Sequence, residues 1–301
     1  MGAADTSFDP QVSRIGLIGA GRAGSALAIA LAHAGLPPIA IASRDPDHAA
    51  TLAQQVGAMA LSQAEVATRT DVVFITTSDR AIGIVCAHIA AEVGWRSGQA
   101  VVHCSGIGGR ELLAAAAAQG AHTGVLHPLQ TLPGATGADR LAGSFFGVEA
   151  DEPLNHVLRQ IVQRLGGQPF DLSGIDRAAY HAAAALTANY SIALYAIAVE
   201  LLQRIGIDHA TSAAGLLALL RGAVANLEHG DAATILTGPV ARGDEATIAA
   251  HLAALEHTAP EWRMLYGQLA AATLPLALAQ GLPPDAAMRI RRLIDGDAHT
   301  T

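Results

Sequence analysis

Arg14-Ile15-Gly16-Leu17-Ile18-Gly19-Ala20-Gly21-Arg22-Ala23-Gly24 is the stretch from which the rest of the chain is read. A short apolar strand, about residues 14–19, runs into Gly19-x-Gly21-x-x-Gly24, and Ser25-Ala26-Leu27-Ala28-Ile29-Ala30-Leu31-Ala32 continues as a helix. Strand, glycine turn and helix in that order form a phosphate cradle. Gly19 permits the tight turn, Gly21 lets the backbone approach a pyrophosphate, and Gly24 lets the helix pack close to the strand. The helix N-terminus then faces the anion. A lone glycine triplet is weak in a chain with 31 glycines. Here a strand precedes it, a helix follows, and a second strand comes at the right distance. Gly19, Ala20, Gly21, Arg22, Ala23 and Gly24 are therefore expected to bind a dinucleotide.

Moving outward, the first helix covers about residues 22–34 and ends at Gly35. Pro37-Pro38 then opens a second strand, Ile39-Ala40-Ile41-Ala42, which ends in Ser43-Arg44-Asp45. An Asp or Glu at this place binds the ribose 2′-hydroxyl of NAD, whereas Arg beside a small hydroxyl residue suits the 2′-phosphate of NADP. Ser43 and Arg44 favour NADP(H); the alternative is that Arg44 is a solvated surface charge.

Asp47 to Val56 reads as a helix, and Asp71 to Thr77 as a buried parallel strand by its apolar run. Ser78-Asp79-Arg80 follows it and leads into a helix through about Ala91. Ala100 to Gly106 is the next strand and turn, Gly109 to Gln119 a helix, and Thr123 to Leu126 a strand ending in His127-Pro128-Leu129-Gln130-Thr131. Ser144 to Ala150 and Gln168 to Leu172 flank a helix at Pro153–Leu165. This alternation predicts an α/β fold, a doubly wound Rossmann-type parallel sheet. From Asp176 the period is helical, at about 176–205, 208–228, 244–257, 260–280 and 284–294. The expected organisation is a dinucleotide-binding domain over 1–172 and an all-helical substrate and dimerisation domain over 173–301.

Composition narrows the function classes. The 301 residues suffice for two domains, and 51% hydrophobic with 15% charged residues is globular composition. A net charge of −8 provides no field for nucleic acid or an anionic membrane. Two cysteines, Cys86 and Cys104, offer neither metal spacing nor a disulfide framework, and a cytoplasmic location is expected. Asp5, Asp9 and the lack of an apolar h-region predict no signal peptide. Ala178 to Leu202 is long and mostly apolar, but it contains Tyr180, His181, Thr187, Asn189 and Ser191 and is read as a buried helix of a soluble domain. All 18 basic residues are arginine. A proton donor must therefore be His, Tyr, Cys, a carboxylic acid or water.

Ligands of open α/β sheets bind beyond the carboxyl ends of the strands. That rule gathers Gly19–Gly24, Thr76–Arg80, His103–Gly106 and Leu126–Thr131, and adds Thr77, Ser78 and Ser105 to the cofactor residues. His127 ends a strand and is a candidate for proton transfer or substrate contact, the alternative being a hydrogen bond to a neighbouring loop. His103 and Cys104 are read as a structural histidine and an inert thiol. His181 and Asn189 lie near one face of a helix, with about 80° of drift over eight residues. They could point at a cleft beside Tyr180, or pair within a helix core. In Thr237-Gly238-Pro239-Val240-Ala241-Arg242-Gly243-Asp244-Glu245, Asp244 reads as an N-cap. Arg242 there could clamp a substrate carboxylate or pair with a local acid. His122 and His127 are five apart and lie in no ligand-spaced cluster, so no metal site is expected.

Gly19–Gly24, the Val102-His103-Cys104-Ser105-Gly106 turn, His127 to Thr131, Tyr180-His181-Ala182-Ala183-Ala184 and Leu236 to Asp244 together resemble bacterial Rossmann-like NADP-binding oxidoreductases with a C-terminal helical domain of unassigned function. The resemblance runs from about residue 14 to 270. More distantly the chain is similar to pyrroline-5-carboxylate reductase, ketopantoate reductase, the 3-hydroxyacid dehydrogenases and deazaflavin-dependent NADP reductase. The ketopantoate reductases and 3-hydroxyacid dehydrogenases use a lysine on the first long helix of the second domain and an asparagine one turn later. Asn189 matches that asparagine, while Ala185 stands where the lysine would be. The resemblance implies a homodimer and an NADP(H)-dependent oxidoreductase.

The expected reaction is hydride transfer to or from a carbonyl or imine carbon of a small carboxylate-bearing substrate, a 2-oxo acid such as ketopantoate or a cyclic imine. His127 or His181 would be the proton donor or orienting group, Asn189 and Tyr180 would contact substrate, and Arg242 would hold its carboxylate. The alternative class is a non-catalytic NADP(H)-binding sensor or regulatory protein. A methyltransferase fits less well, because Ser43-Arg44 suits a phosphate.

Overall fold

The computed structural model describes residues 13–296. The lead-in expected over residues 1–13 lies, up to residue 12, outside them. Eight strands form one sheet: β1 Ile15–Ile18, β2 Ala40–Ala42, β3 Met59–Ala60, β4 Val72–Ile75, β5 Ala100–His103, β6 His122–Pro128, β7 Phe145–Ala150 and β8 Gln168–Asp171. Their order is β3-β2-β1-β4-β5-β6-β7-β8. Interleaved helices are α1 Arg22–His33, α2 Pro46–Val56, α3 Gln63–Arg69, α4 Asp79–Glu92, the short α5 Ala114–Ala117 and α6 Leu154–Arg164. This is the expected Rossmann-type architecture, with two additions. The two-residue β3 and α3, the latter opened by a Ser62–Glu65 capping box, were not read from the sequence. The Gly109–Gln119 helix is instead a 3₁₀ turn, Arg110–Leu113, followed by α5.

The sheet is parallel except where β6 meets β7. A parallel neighbour requires a crossover that carries the chain back along the sheet. The link from Pro128 to Phe145 holds only a 3₁₀ turn, Ala135–Arg140, so β7 returns antiparallel. β8 then follows β7 in parallel through α6.

Every residue of β1, β2, β4 and β5 is buried, because helices cover both faces. Strand alternation divides β4 between two cores. Val72 and Phe74 pack with Leu27 and Leu31 of α1 and Leu158 of α6. Val73 and Ile75 pack with Val66 of α3 and Ile82 and Cys86 of α4. The carbonyls at the end of α3 are paired by two side chains that precede β5, Arg96 and Gln99. Gln99, 3% exposed, donates through Nε2 to the carbonyls of Ala67 (2.7 Å) and Thr70 (2.8 Å).

After β8 the chain is helical: α7 Arg177–Arg204, α8 His209–Leu227, the short α9 Ala232–Ile235 and α10 Pro239–Arg242, then α11 Glu245–Thr258, α12 Pro260–Ala279 and α13 Pro284–Asp295. Two compact units divide at 188/189, inside α7, whereas the expected domain boundary was at 172/173. The second unit has its own small core, in which Val240, Ile248, Leu252, Leu274 and Ile290 from α10–α13 meet.

One expectation is overturned. The apolar stretch of α7 is not a buried helix: of its 28 residues only Val199 is buried. α8 buries only Ser212. Both helices are long and apolar enough to cross a membrane, with mean hydropathies of 1.5 and 1.3. Apolar composition reports what a surface prefers to meet, and within this chain α7 and α8 meet little.

Replacing Gln99 by Leu removes one of two donors to the Ala67 and Thr70 carbonyls, the Arg96 guanidinium remaining on both. The expected cost is about 1 kcal/mol, read as a lower midpoint in urea unfolding with unchanged NADPH affinity.

Candidate functional site

The glycine turn has the geometry that its three positions require. Gly19 has φ +121°, and a Cβ there would lie 2.7 Å from the Thr76 carbonyl carbon. A Cβ on Gly24 would lie 1.9 Å from the Gly19 oxygen, so α1 packs at backbone distance against the end of β1. At Gly21 a Cβ would meet nothing within 4 Å, and the approach to the start of α1 is open. Gly21 is the N-cap of α1, makes no side-chain cap, and has no acid in the turn after it. The first amides of α1 are thus left to an external acceptor.

Neighbouring strand ends complete the cradle. Thr76 was not among the expected site residues, yet its hydroxyl donates to the Gly19 oxygen at 2.7 Å and braces the turn. The hydroxyl oxygen of Thr77 is buried without a hydrogen-bond partner in the structure. At the end of β2, Asp45 caps α2, accepting the amides of Asp47 (3.0 Å) and His48 (3.4 Å). Its carboxylate is therefore engaged and does not compete for a ribose hydroxyl. Ser43 and the exposed Arg44 remain, a pairing that suits a 2′-phosphate. Ala20 and Ala23 lie within the turn, Arg22 is exposed at the first position of α1, and Ser78 is the exposed N-cap of α4. Open backbone at Gly21, an orphaned Thr77 hydroxyl and unopposed α1 amides fit a dinucleotide phosphate.

At the end of β5, His103 is fully buried. Its Nδ1 accepts the Ser105 amide at 3.1 Å, so the ring proton sits on Nε2, 2.9 Å from the Gly109 carbonyl. Burial pushes its pKa down. The Ser105 hydroxyl accepts the Gly108 amide at 2.9 Å, and Ser105 thereby shapes the same turn. Burial raises the Cys104 thiol to about 12, which leaves it unreactive. This turn presents Gly106 outward. A Cβ there would lie 2.7 Å from His127 Nε2 and 2.9 Å from His181 Cδ2. Only glycine lets the two histidines close over the turn.

His127, in β6, lies 2.7 Å through Nδ1 from the Tyr180 hydroxyl, with the rings edge-on at 5.5 Å. Tyr180 also packs against Phe170 of β8, with ring centroids 6.0 Å apart. Tyr180, expected as a substrate contact, therefore partners His127 in this structure. Burial, the adjacent His181 and the charge of Arg177 push the His127 pKa down to about 4. The imidazole is neutral at pH 7 and acts as a hydrogen-bond partner, not a cationic acid. Burial raises the pKa of Tyr180, so its proton stays on the hydroxyl until an acceptor arrives.

Asn189 and Arg242 belong to the second unit, where both are exposed. Arg242 ends the short α10, between Gly238 (φ +101°) and Gly243 (φ +69°). Asp244 caps α11 as expected, accepting the Thr247 amide at 3.0 Å.

His127 carries a stability consequence. Its folded pKa of about 4 lies below the unfolded value of ~6.5, so the unfolded chain takes up the proton first. Stability should fall as pH drops from ~6.5 towards 4, by about 2 kcal/mol at pH 5. Urea unfolding at pH 7.5 and 5.0 should show that His127→Gln loses less stability on acidification than the wild type by about that amount. Equal losses would mean that His127 is not held neutral.

Comparison with known proteins adds the following. Residues 14–105 match the family described as NADP oxidoreductase, coenzyme F420-dependent. Residues 144–273 match a domain of unknown function, DUF2520. No curated protein sequence matches the chain. Among solved structures, a provisionally assigned NADP oxidoreductase of Bacteroides fragilis is 27% identical, with a TM-score of 0.75 over 89% of this chain and 100% of its own. A Thermotoga maritima protein is 24% identical, with a TM-score of 0.70 over 88% of this chain and 99% of its own. A pyrroline-5-carboxylate reductase of Coxiella burnetii shares the fold at 16% identity, with a TM-score of 0.59 over 93% of this chain and 98% of its own. The chain thus matches an NADP oxidoreductase domain over residues 14–105 and DUF2520 over 144–273, and along most of its length it is similar to an NADP oxidoreductase of known structure.

Proposed function

We propose that this oxidoreductase reduces, or in reverse forms, the carbonyl or imine group of a small carboxylate-bearing substrate, a 2-oxo acid or a cyclic imine. The observation that carries the reading is the 2.7 Å bond between Tyr180 and His127, beside the Gly106 turn, in a chain without lysine. Bound NADPH supplies the hydride. Reduction also needs one proton on the substrate oxygen or nitrogen. Tyr180 holds that proton on its hydroxyl. With its own proton on Nδ1, neutral His127 donates to the Tyr180 oxygen, leaves the hydroxyl hydrogen free for substrate, and stabilises the phenolate left behind. Solvent returns the proton by way of the exposed His181.

Gly19–Gly24, Thr77 and Ser78 are the proposed pyrophosphate cradle, Ser43 and Arg44 the 2′-phosphate site, and Ser105 the shaper of the turn beneath His127. Asn189 as a hydrogen-bonding group and Arg242 as the carboxylate clamp are proposed on their chemistry.

We further propose a homodimer assembled through the second unit. On α8, Leu217, Leu220, Val224 and Leu227 recur at intervals of three and four residues, the spacing of a helix–helix seam. Val224 and Leu227 are 52% and 57% exposed. An apolar cleft of about 440 Å³ between α7, α11 and α12 is lined by Leu194, Leu201, Leu255 and Trp262. The indole N–H of Trp262 is buried without an acceptor. A second copy would cover such a surface, whereas Arg221 and Asn226 on α8 disfavour lipid. The two free thiols accord with the proposed cytoplasmic location.

Two measurements test these readings. In NADPH titrations and turnover with cyclic imines and 2-oxo acids, Arg44→Ala should weaken NADPH binding by roughly 10- to 100-fold and leave NADH unaffected. Tyr180→Phe should lower kcat by about 10²-fold at unchanged NADPH affinity. A Tyr180→Phe enzyme with full turnover refutes the proton assignment. By light scattering after size exclusion, the wild type should be dimeric and Leu220→Glu/Val224→Glu monomeric; a monomeric wild type at micromolar concentration refutes the dimer.

A further inference from the structure

Tyr180 sits in the first turn of α7, and the residue that begins that helix is bound to the sheet. Arg177 donates through Nη2 to the Glu149 carboxylate of β7. Both side chains are largely covered, at 12% and 23% exposure. Asp176 caps the same turn, accepting the amides of Ala178 (3.0 Å) and Ala179 (3.1 Å). The helix start is thus held at its backbone and at one side chain.

The strand register shows where that anchor falls. Glu149 lies opposite Val125 of β6, His127 lies opposite Gly147, and Gly147 lies opposite Phe170 of β8. Opposed residues, and alternate residues along a strand, project to one face of a sheet. His127, Glu149 and Phe170 therefore share a face, with Glu149 one row from the other two. On α7, Arg177 and Tyr180 are three apart and likewise share a face. Arg177 meets the Glu149 row while Tyr180 meets His127 and Phe170 in the next. Two contacts in successive rows fix both the height and the rotation of this helical turn.

We propose that Arg177 and Glu149 are positioning residues whose ion pair holds the Tyr180 hydroxyl on His127 Nδ1. This rests on the reading of Tyr180 and His127 as the proton site. A helix start clamped only by its cap could rotate about its axis, and a 2.7 Å bond tolerates little such rotation. The sheet supplies the fixed reference, since β7 is hydrogen-bonded on both sides. A further consequence concerns substitution. Arg177 Nη1 is buried without a partner, so among the described residues Glu149 is the acceptor that compensates this guanidinium.

The test reads the contact itself and needs no substrate. In the full-length protein with ¹⁵N-labelled histidine, the His127 Nδ1 resonance at pH 7.5 reports whether the Tyr180 hydroxyl is seated. Glu149→Gln should displace that resonance in the same direction as Tyr180→Phe, and should add nothing in a Tyr180→Phe background. Arg177→Lys, which keeps a cation for Glu149, should displace it less than Arg177→Gln. A resonance that Glu149→Gln leaves in place, or moves equally in both backgrounds, overturns the positioning role alone. A resonance that Tyr180→Phe leaves in place removes the contact and overturns the proton-site reading with it. If Glu149→Gln does not fold, the same cycle is run with Arg177→Gln, with the same two readings.

Discussion

The fold depends on one close approach. Helix α1 starts at backbone distance from the end of β1, and this is possible because positions 19 and 24 lack side chains. A methyl at 24 would overlap the Gly19 oxygen, which the Thr76 hydroxyl already holds at 2.7 Å. That contact joins β1, β4 and α1 in one corner. It sets the height at which the α1 amides emerge, and so where an anion can sit. The same corner aligns the carboxyl ends of β1 and β4, beside which β5 and β6 run parallel.

The proposed proton site is built on the next two strands by the same economy of side chains. His103 is committed to the Ser105 amide and the Gly109 carbonyl, which gives the turn its shape. Gly106 at its crest has no Cβ to keep His127 and His181 away. Burial then holds His127 neutral, so it serves as a hydrogen-bond partner to Tyr180 and not as an acid. In the proposed reaction the phenol of Tyr180 holds the proton, in a chain without lysine.

α7 and α8 have a different physical character from the sheet domain. They are as apolar as core helices yet have one buried residue each. On α8 leucines and a valine recur at helix-seam spacing, while the second unit's core is assembled by α10–α13 without either helix. Apolar surface of this extent lowers its free energy only by meeting another surface.

Much of the fold was legible in the residues. The Gly19–Gly24 turn, the apolar runs of β1, β4 and β5, and the switch to helical period from Asp176 follow from local periodicity and backbone sterics, which need no partner to be read. The Asp244 cap was legible for the same reason. The reversal of β7, the two-residue β3 and the exposure of α7 were not, because each depends on what lies beside a segment. The candidate histidines were visible as chemistry-bearing side chains at strand ends. Their relation was not: only strand register puts Glu149 and Phe170 on the face of His127, and only the packing of α7 across that face puts Tyr180 on Nδ1. The sequence by itself determined the phosphate cradle and the order of elements, since short-range sterics and periodicity specify both. The tertiary structure alone decided which polar groups meet and what charge they carry, because hydrogen bonding and desolvation depend on neighbours brought from distant parts of the chain.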